Sequence, residues 1–149
     1  MPLRLSFQQL TVGEPHAIHR VEVKNTMELA ESDPDWWAFM DVGEWSGKTV
    51  TFRVDKLRED SPALKMIEQG DNLKGAENLY QEPLRGQFHF SARRGWLNDP
   101  NGMVYHDGVY HLFFQHNPYG WAWGNMHWGH AISRDMVHWK ELPEPLAPD

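Results

Sequence analysis

An all-β fold is predicted: an N-terminal β-sandwich-like accessory domain, followed by one four-stranded unit the size of a propeller blade. Three observations carry this. Apolar and polar residues alternate with period two in short runs, and the runs are separated by clusters of Gly, Pro, Asp, Asn and Ser. The composition also changes near residue 88, after which five of the eight tryptophans and seven of the nine histidines fall. The expected domains are therefore 1–87, an accessory β-domain with its connector, and 88–149, a second β-unit.

In the first part the strand candidates are Leu3-Arg-Leu-Ser-Phe7, Ala17-Ile-His-Arg-Val-Glu-Val23, Trp36-Trp-Ala-Phe-Met40 and Thr49-Val-Thr-Phe-Arg-Val54. Turn clusters at Glu31-Ser-Asp-Pro34 and Trp45-Ser-Gly-Lys48 lie between them, which suits half-buried antiparallel strands in a small sandwich. Ser61-Pro62 can open a short helix through Ile67, with Ser as cap, Pro at the first helical position and Gly70 past the end. From Asp71 to Gln87 the periodicity weakens into an irregular connector. The carboxylates of this part are scattered and read as a solvated acidic face.

The second part is more regular. Met103-Val-Tyr-His106 and Val109-Tyr-His-Leu-Phe-Phe-Gln-His116 flank Asp107-Gly108, the chemistry of a type I′ hairpin. After a Pro/Gly/Trp loop over 117–125, Met126-His-Trp-Gly-His-Ala-Ile-Ser133 and Val137-His-Trp-Lys-Glu-Leu142 supply two further strands across Arg134-Asp135. Four antiparallel strands in this space match one propeller blade. A blade needs neighbours on both faces, with about three repeats normally required, so further blades of the same protein are expected beyond the Pro-rich Leu142-Pro-Glu-Pro-Leu-Ala-Pro148.

Composition removes several function classes. The formal net charge of −7 and pI near 5.7 oppose a nucleic-acid footprint or an anionic membrane surface. No cysteine is present, which excludes disulfides and thiolate chemistry. The first residues lack the pattern of a signal peptide, and no apolar run is long enough to span a bilayer.

The informative stretch is Phe88-His-Phe-Ser-Ala-Arg-Arg-Gly-Trp-Leu-Asn-Asp-Pro-Asn-Gly102. By local chemistry Asp99-Pro100-Asn101-Gly102 is a turn. Asp99 precedes proline, however, and is biased to extended backbone, which puts its carboxylate at a strand end. Trp96 and Asn98 before it, and the Trp, His and Tyr after it, form the lining expected of a sugar site.

Four segments carry a family resemblance: Trp96-Leu-Asn-Asp-Pro-Asn-Gly102, Phe113-Phe-Gln-His-Asn-Pro118, Trp123-Gly-Asn-Met-His-Trp-Gly-His-Ala131 and Ser133-Arg-Asp-Met-Val-His-Trp139. Together they resemble consecutive signatures of glycoside hydrolase family 32, the levanase, inulinase and invertase type of β-fructosidase. The segment from Asp33 to Phe90 further resembles the small N-terminal domain of bacterial levanase-like members. The resemblance implies a five-bladed propeller and a retaining hydrolysis of terminal fructosyl linkages in fructans or sucrose. It makes Asp99 the catalytic nucleophile, with Asn98, Gln115 and Trp123 on the sugar and Trp96 and Asn101 as secondary substrate-site residues. A retaining mechanism needs an ionised carboxylate about 5 Å from a protonated one.

The chain also departs from that pattern. The family's acid/base is a glutamate followed by cysteine, and its stabilising motif is Arg-Asp-Pro; neither occurs here, since Arg134-Asp135 is followed by Met136. The isolated chain is therefore expected to be inactive. The alternative is a non-catalytic carbohydrate-binding module or a degenerate truncated one. His106, His111, His116, His127, His130 and His138 crowd the second part at strand spacing, without thiolates or clustered carboxylates to complete a ligand set. Neither a metal nor a cofactor is expected. The resemblance implies a secreted or periplasmic protein, although no signal peptide is evident.

Overall fold

The computed structural model describes residues 3–6, 10–14, 17–21, 26–30, 32–48 and 58–148. The chain is all-β, and it divides into two compact units, Met1–Lys74 and Gly75–Asp149.

In the first unit, β1 (Leu3–Ser6) pairs antiparallel with β4 (Thr26–Leu29), and β2 (Leu10–Glu14) pairs with β3 (Ala17–Val21). Two two-stranded ladders result, the second lying between the strands of the first in sequence. The alternation at 3–7 and 17–23 marked β1 and β3, whereas Gly13 and the short length of β4 hid their partners. The strand expected at 49–54 lies outside the described residues. The one expected at Trp36–Met40 does not form: those residues carry no ladder, and their exposure lacks period-two alternation. Trp37 is covered instead by the Lys74 ammonium, 3.9 Å from its ring centre. The expected helix after Ser61-Pro62 shrinks to one 3-10 turn, Ala63–Met66. Ser61 Oγ accepts from the Ala63 amide at 3.3 Å, and Ile67 is already extended, so the costly helical nucleus is never propagated.

In the second unit four strands form one antiparallel sheet in sequential order: β5 (Trp96–His106), β6 (Val109–Asn117), β7 (His127–Ser133) and β8 (Trp139–Leu146). Asp107 and Gly108 take φ of 47° and 78°, the left-handed pair that the I′ hairpin requires. Between β7 and β8 the connection is held by short side chains. Ser133 Oγ accepts the amides of Asp135 and Met136, and Asp135 Oδ1 accepts those of Val137 and His138. Leu142–Leu146, expected as a connecting segment, is the second half of β8. Pro143 and Pro145 lie two residues apart on the outer strand, so both missing N–H groups fall on one side of it.

One face of the sheet is packed. Phe114, Ala131 and Ala92 form its buried core, with Phe90, Leu112 and Trp139 against them. Phe90 sits 5.0 Å from Phe114 and 5.8 Å from Trp139, ring centre to ring centre. The segment 85–94 that delivers Phe90 and Ala92 is pinned by Arg85. Its guanidinium donates to Glu82, to the carbonyls of Ser91, Ala92 and Arg93, and to Ser91 Oγ. Gly129 stands beneath the Phe114 ring, where a Cβ would come within 2.2 Å of it.

Candidate active site

The expected turn at Asp99-Pro100-Asn101-Gly102 is instead the interior of β5. Leu97 is opposite His116, Pro100 opposite Phe114 and Gly102 opposite Phe113, so β5 carries extra residues through a bulged stretch. Asn98 and Asp99 together face the single position of Gln115, and Asn101 has no counterpart. Proline explains why this is allowed. β5 is an outer strand, where a residue without an N–H breaks no ladder, and a bulge re-aims the side chains beside it.

Asn98 and Gln115 are brought together, Asn98 Nδ2 donating to Gln115 Oε1 at 3.0 Å, and both are half-buried. Each amide retains hydrogen-bonding capacity for a further partner. Asp99 is exposed, and among the described residues its carboxylate has no hydrogen-bond or ion-pair partner. Trp96 is half-buried at the first pair of β5, opposite Asn117, while Asn101 is exposed. Trp123 is 71% exposed, in the loop between β6 and β7 together with Trp121.

Three features escaped sequence reasoning. Asn117 is buried at the end of β6 with its side chain inside that loop: Nδ2 donates to the Ala122 carbonyl at 2.8 Å, and Oδ1 accepts from the Tyr119 amide and Asn125 Nδ2. His116, 1% exposed, points Nε2 at the Arg94 carbonyl (2.7 Å) and Nδ1 at Glu144 (3.1 Å). Burial pushes the Glu144 carboxyl up, but the His116 hydrogen bond, a hydrogen bond to its own backbone and the His116 and Arg93 charges together outweigh it and hold the group below the usual range. Thirdly, carboxylates do gather near a histidine: ligand atoms of His116, Glu141 and Glu144 all lie within 4.8 Å. These are the residues that could hold a metal. Each already has protein partners, however, Glu141 accepting from the Arg93 amide and the Tyr80 hydroxyl.

His111, His127 and His130 are packed as strand residues, whereas His106 and His138 are exposed and His138 lies outside the strands. His111 Nδ1 lies 3.0 Å from His130 Nε2, and His130 stacks on Phe113 at 4.3 Å. Burial lowers the pKa of both His127 and His130, with the neighbouring His111 lowering His130 further. Tyr119, edge-on to His127, is pushed up to about 12 by burial and then by the Glu144 charge.

Comparison with known proteins bears on residues 89–149, which match the glycosyl hydrolases family 32 N-terminal domain. This part of the chain is similar to glycoside hydrolase family 32. The family 32 segment is 61% identical over 67 residues to an extracellular exo-inulinase of Aspergillus awamori, a match covering 45% of this chain and 12% of that protein. It is 59% identical over 72 residues to a levanase of Bacillus subtilis, covering 48% of this chain and 11% of the relative. A crystal structure of exo-inulinase from Aspergillus awamori aligns with 60% identity and a TM-score of 0.44, covering 46% of this chain and 13% of that one. The matched stretch thus spans about an eighth of the length of these relatives.

Proposed function

We propose that this chain supplies the nucleophile-bearing blade of a retaining β-fructofuranosidase acting on terminal fructosyl units of fructans or sucrose. The observation that carries the reading is the bulge in β5, where an exposed carboxylate, Asp99, stands beside the paired amides of Asn98 and Gln115. Asp99 attacks the anomeric carbon of the terminal fructosyl unit, forming a glycosyl ester that water later hydrolyses. Asn98 and Gln115 hydrogen-bond the sugar hydroxyls. Trp123 packs on its C–H face, with Trp96 and Asn101 supporting the site. The names of the exo-inulinase and levanase relatives support fructan as substrate, and the extracellular naming of the former supports a secreted protein.

The sequence holds neither a Glu-Cys pair nor an Arg-Asp-Pro motif. Without a general acid the leaving oxygen departs unprotonated, which costs about two to four orders of magnitude in rate. The isolated chain therefore does not hydrolyse fructosides usefully, and the remaining blades of the propeller are its required partners.

Two measurements test this. A fructose analogue carrying an epoxide at the anomeric position is expected to esterify Asp99, read as a mass shift on its peptide and absent in Asp99→Asn. Labelling at another carboxylate, or none, overturns the nucleophile assignment. Fructose release from levan, inulin or sucrose by the purified chain, lost in Asp99→Asn, overturns the inactivity.

A further inference from the structure

The loop between β6 and β7 has no apolar core of its own, yet it displays two large aromatics to solvent, Trp121 at 62% and Trp123 at 71% exposure. An ordered loop must be held by something, and here the centre is one side-chain amide. Asn117, 4% exposed, donates from Nδ2 to the Ala122 carbonyl at 2.8 Å, on the residue between the two tryptophans. Its Oδ1 accepts from the Tyr119 amide at 3.1 Å and from Asn125 Nδ2 at 3.2 Å, so both sides of the loop close on it.

The surrounding sequence is fitted to that amide. A Cβ on Gly120 would lie 3.0 Å from Asn117 Nδ2, and one on Gly124 would lie 3.7 Å away, so glycine at 120 lets the chain pass over it. Asn125 adopts φ of 42°, and its carbonyl is taken by His127 Nδ1 at 2.5 Å, which fixes where the loop rejoins the sheet. Asn117 is also tied to the other side of the site. Its backbone pairs with Trp96 at the start of β5, and its carbonyl lies 2.1 Å from where a Gly95 Cβ would be, a place that only glycine at φ 79° allows.

We infer that Asn117 is a positioning residue: its buried amide sets the stance of Trp121 and Trp123 against the β5 end that carries Asn98 and Asp99. No other side chain of the asparagine's size does this. Aspartate keeps the volume and the two acceptor contacts but turns an oxygen towards the Ala122 carbonyl, leaving two acceptors face to face in a buried place. The consequence for sugar binding rests on the proposed role of Trp123, but the ordering of the loop does not.

The test uses the full chain labelled with 5-fluorotryptophan, its fluorine resonances assigned by Trp121→Phe and Trp123→Phe. In Asn117→Asp the Trp121 and Trp123 resonances are expected to move to the position of solvated, mobile indole, while those of Trp96, Trp128 and Trp139 in the sheet stay. Unmoved loop resonances overturn the inference, and so does a collective shift of all five, which marks a merely structural residue. Should Asn117→Asp fail to fold, Gly120→Ala disturbs the same contact from the loop side and is expected to give the same selective pattern. Fructose titration of the same samples reads the consequence: the apparent Kd rises about tenfold in Asn117→Asp. A variant that binds as tightly as the native chain although its loop resonances have moved overturns the role of Trp123 on the sugar, and the resonances decide that of Asn117. If the native chain itself shows no fructose response, the sugar-site reading fails, and the loop resonances still decide the role of Asn117.

Discussion

Asn98 and Gln115 share a 3.0 Å hydrogen bond across the β5–β6 ladder, at the point where two residues of β5 face one of β6. The bond has two consequences. It orients both amides before any ligand arrives, and it ties the bulge to the central strand, so the neighbouring Asp99 is borne on a fixed piece of backbone.

A double-mutant cycle measures that tie. A neutral hydrogen bond contributes about 0.5–1.5 kcal/mol net, and Asn98 and Gln115 are only half-buried, so water replaces part of what is lost. Asn98→Ala and Gln115→Ala are expected to show a coupling near the lower half of that range in urea unfolding followed by far-UV circular dichroism. Strictly additive losses would show that the two amides stand side by side without holding one another.

The sequence made some of these features legible and concealed others, for physical reasons. Asp107-Gly108 announced its hairpin because positive φ at two successive residues is a local demand that local chemistry meets. Asp99-Pro100-Asn101-Gly102 is equally turn-like in composition, but whether such a stretch turns or bulges depends on what it pairs with. Here Phe113, Phe114 and Gln115 on β6 keep it in the ladder. The candidate residues Asn98 and Gln115 were found through family motifs and not through periodicity, which is silent about a contact 17 residues apart. Arg85, Asn117 and the His116–Glu144 pair could not be read, because each acts through partners that only the folded sheet brings near. Even the absence of clustered carboxylates, inferred from their spacing, fails once β8 lays Glu141 and Glu144 against His116.

Two glycines of the sheet are expected to fail for different reasons. In Gly129→Ala the new methyl meets the Phe114 ring at 2.2 Å, and Phe114 is 1% exposed with little room to move. The cost is expected at about 2–3 kcal/mol, the upper range for an overpacked core. A smaller side chain in the double variant Gly129→Ala/Phe114→Leu recovers part of it. In Gly108→Ala nothing lies within 4 Å of the new Cβ, and only the φ of 78° opposes it, for about 1 kcal/mol. Urea midpoints that rank the two in the opposite order would show that backbone strain, not the Phe114 contact, governs this sheet.

Acidification below neutrality is expected to destabilise the sheet through His127 and His130. Both have pKa values lowered from 6.5 by burial, His130 also by His111, so the folded chain holds them neutral. Between the folded value and 6.5 the unfolded chain binds more protons than the folded one. Stability is therefore complete above 6.5 and declines as pH falls below it. Proton-detected titration of the imidazole resonances should place both transitions below 6.5, and His130→Asn should flatten that part of the stability profile. Transitions above 6.5 in the folded chain would reverse the sign and refute the assignment.

Arg85 is expected to be the most sensitive charged residue of the second unit, because no other side chain spans its five acceptors. Nε meets Glu82, Nη1 meets the carbonyls of Ser91 and Ala92 and the Ser91 hydroxyl, and Nη2 meets the Arg93 carbonyl at 3.2 Å. These bonds seat Phe90 and Ala92 on the sheet, so Arg85→Ala loses packing as well as hydrogen bonds. The loss is expected at about 2–4 kcal/mol, since bonds to a charged donor contribute about 1.5–3 each and partial exposure offsets some of them. Arg85→Lys should recover little, because one ammonium on a flexible stem cannot reproduce the planar fork. Glu82 gives the pH signature. The Arg85 hydrogen bond draws its pKa from 4.5 down to about 2, so its contribution is complete above 4.5 and fades as pH falls towards 2. Glu82→Gln is then expected to make unfolding less dependent on pH between 4.5 and 2, whereas in the Arg85→Ala background the same substitution has a smaller effect, carried by Arg94 Nη1, which donates to Glu82 Oε1 at 2.7 Å. Equal pH slopes in the native chain and Glu82→Gln would mean that Arg85 holds the segment through its carbonyl contacts alone.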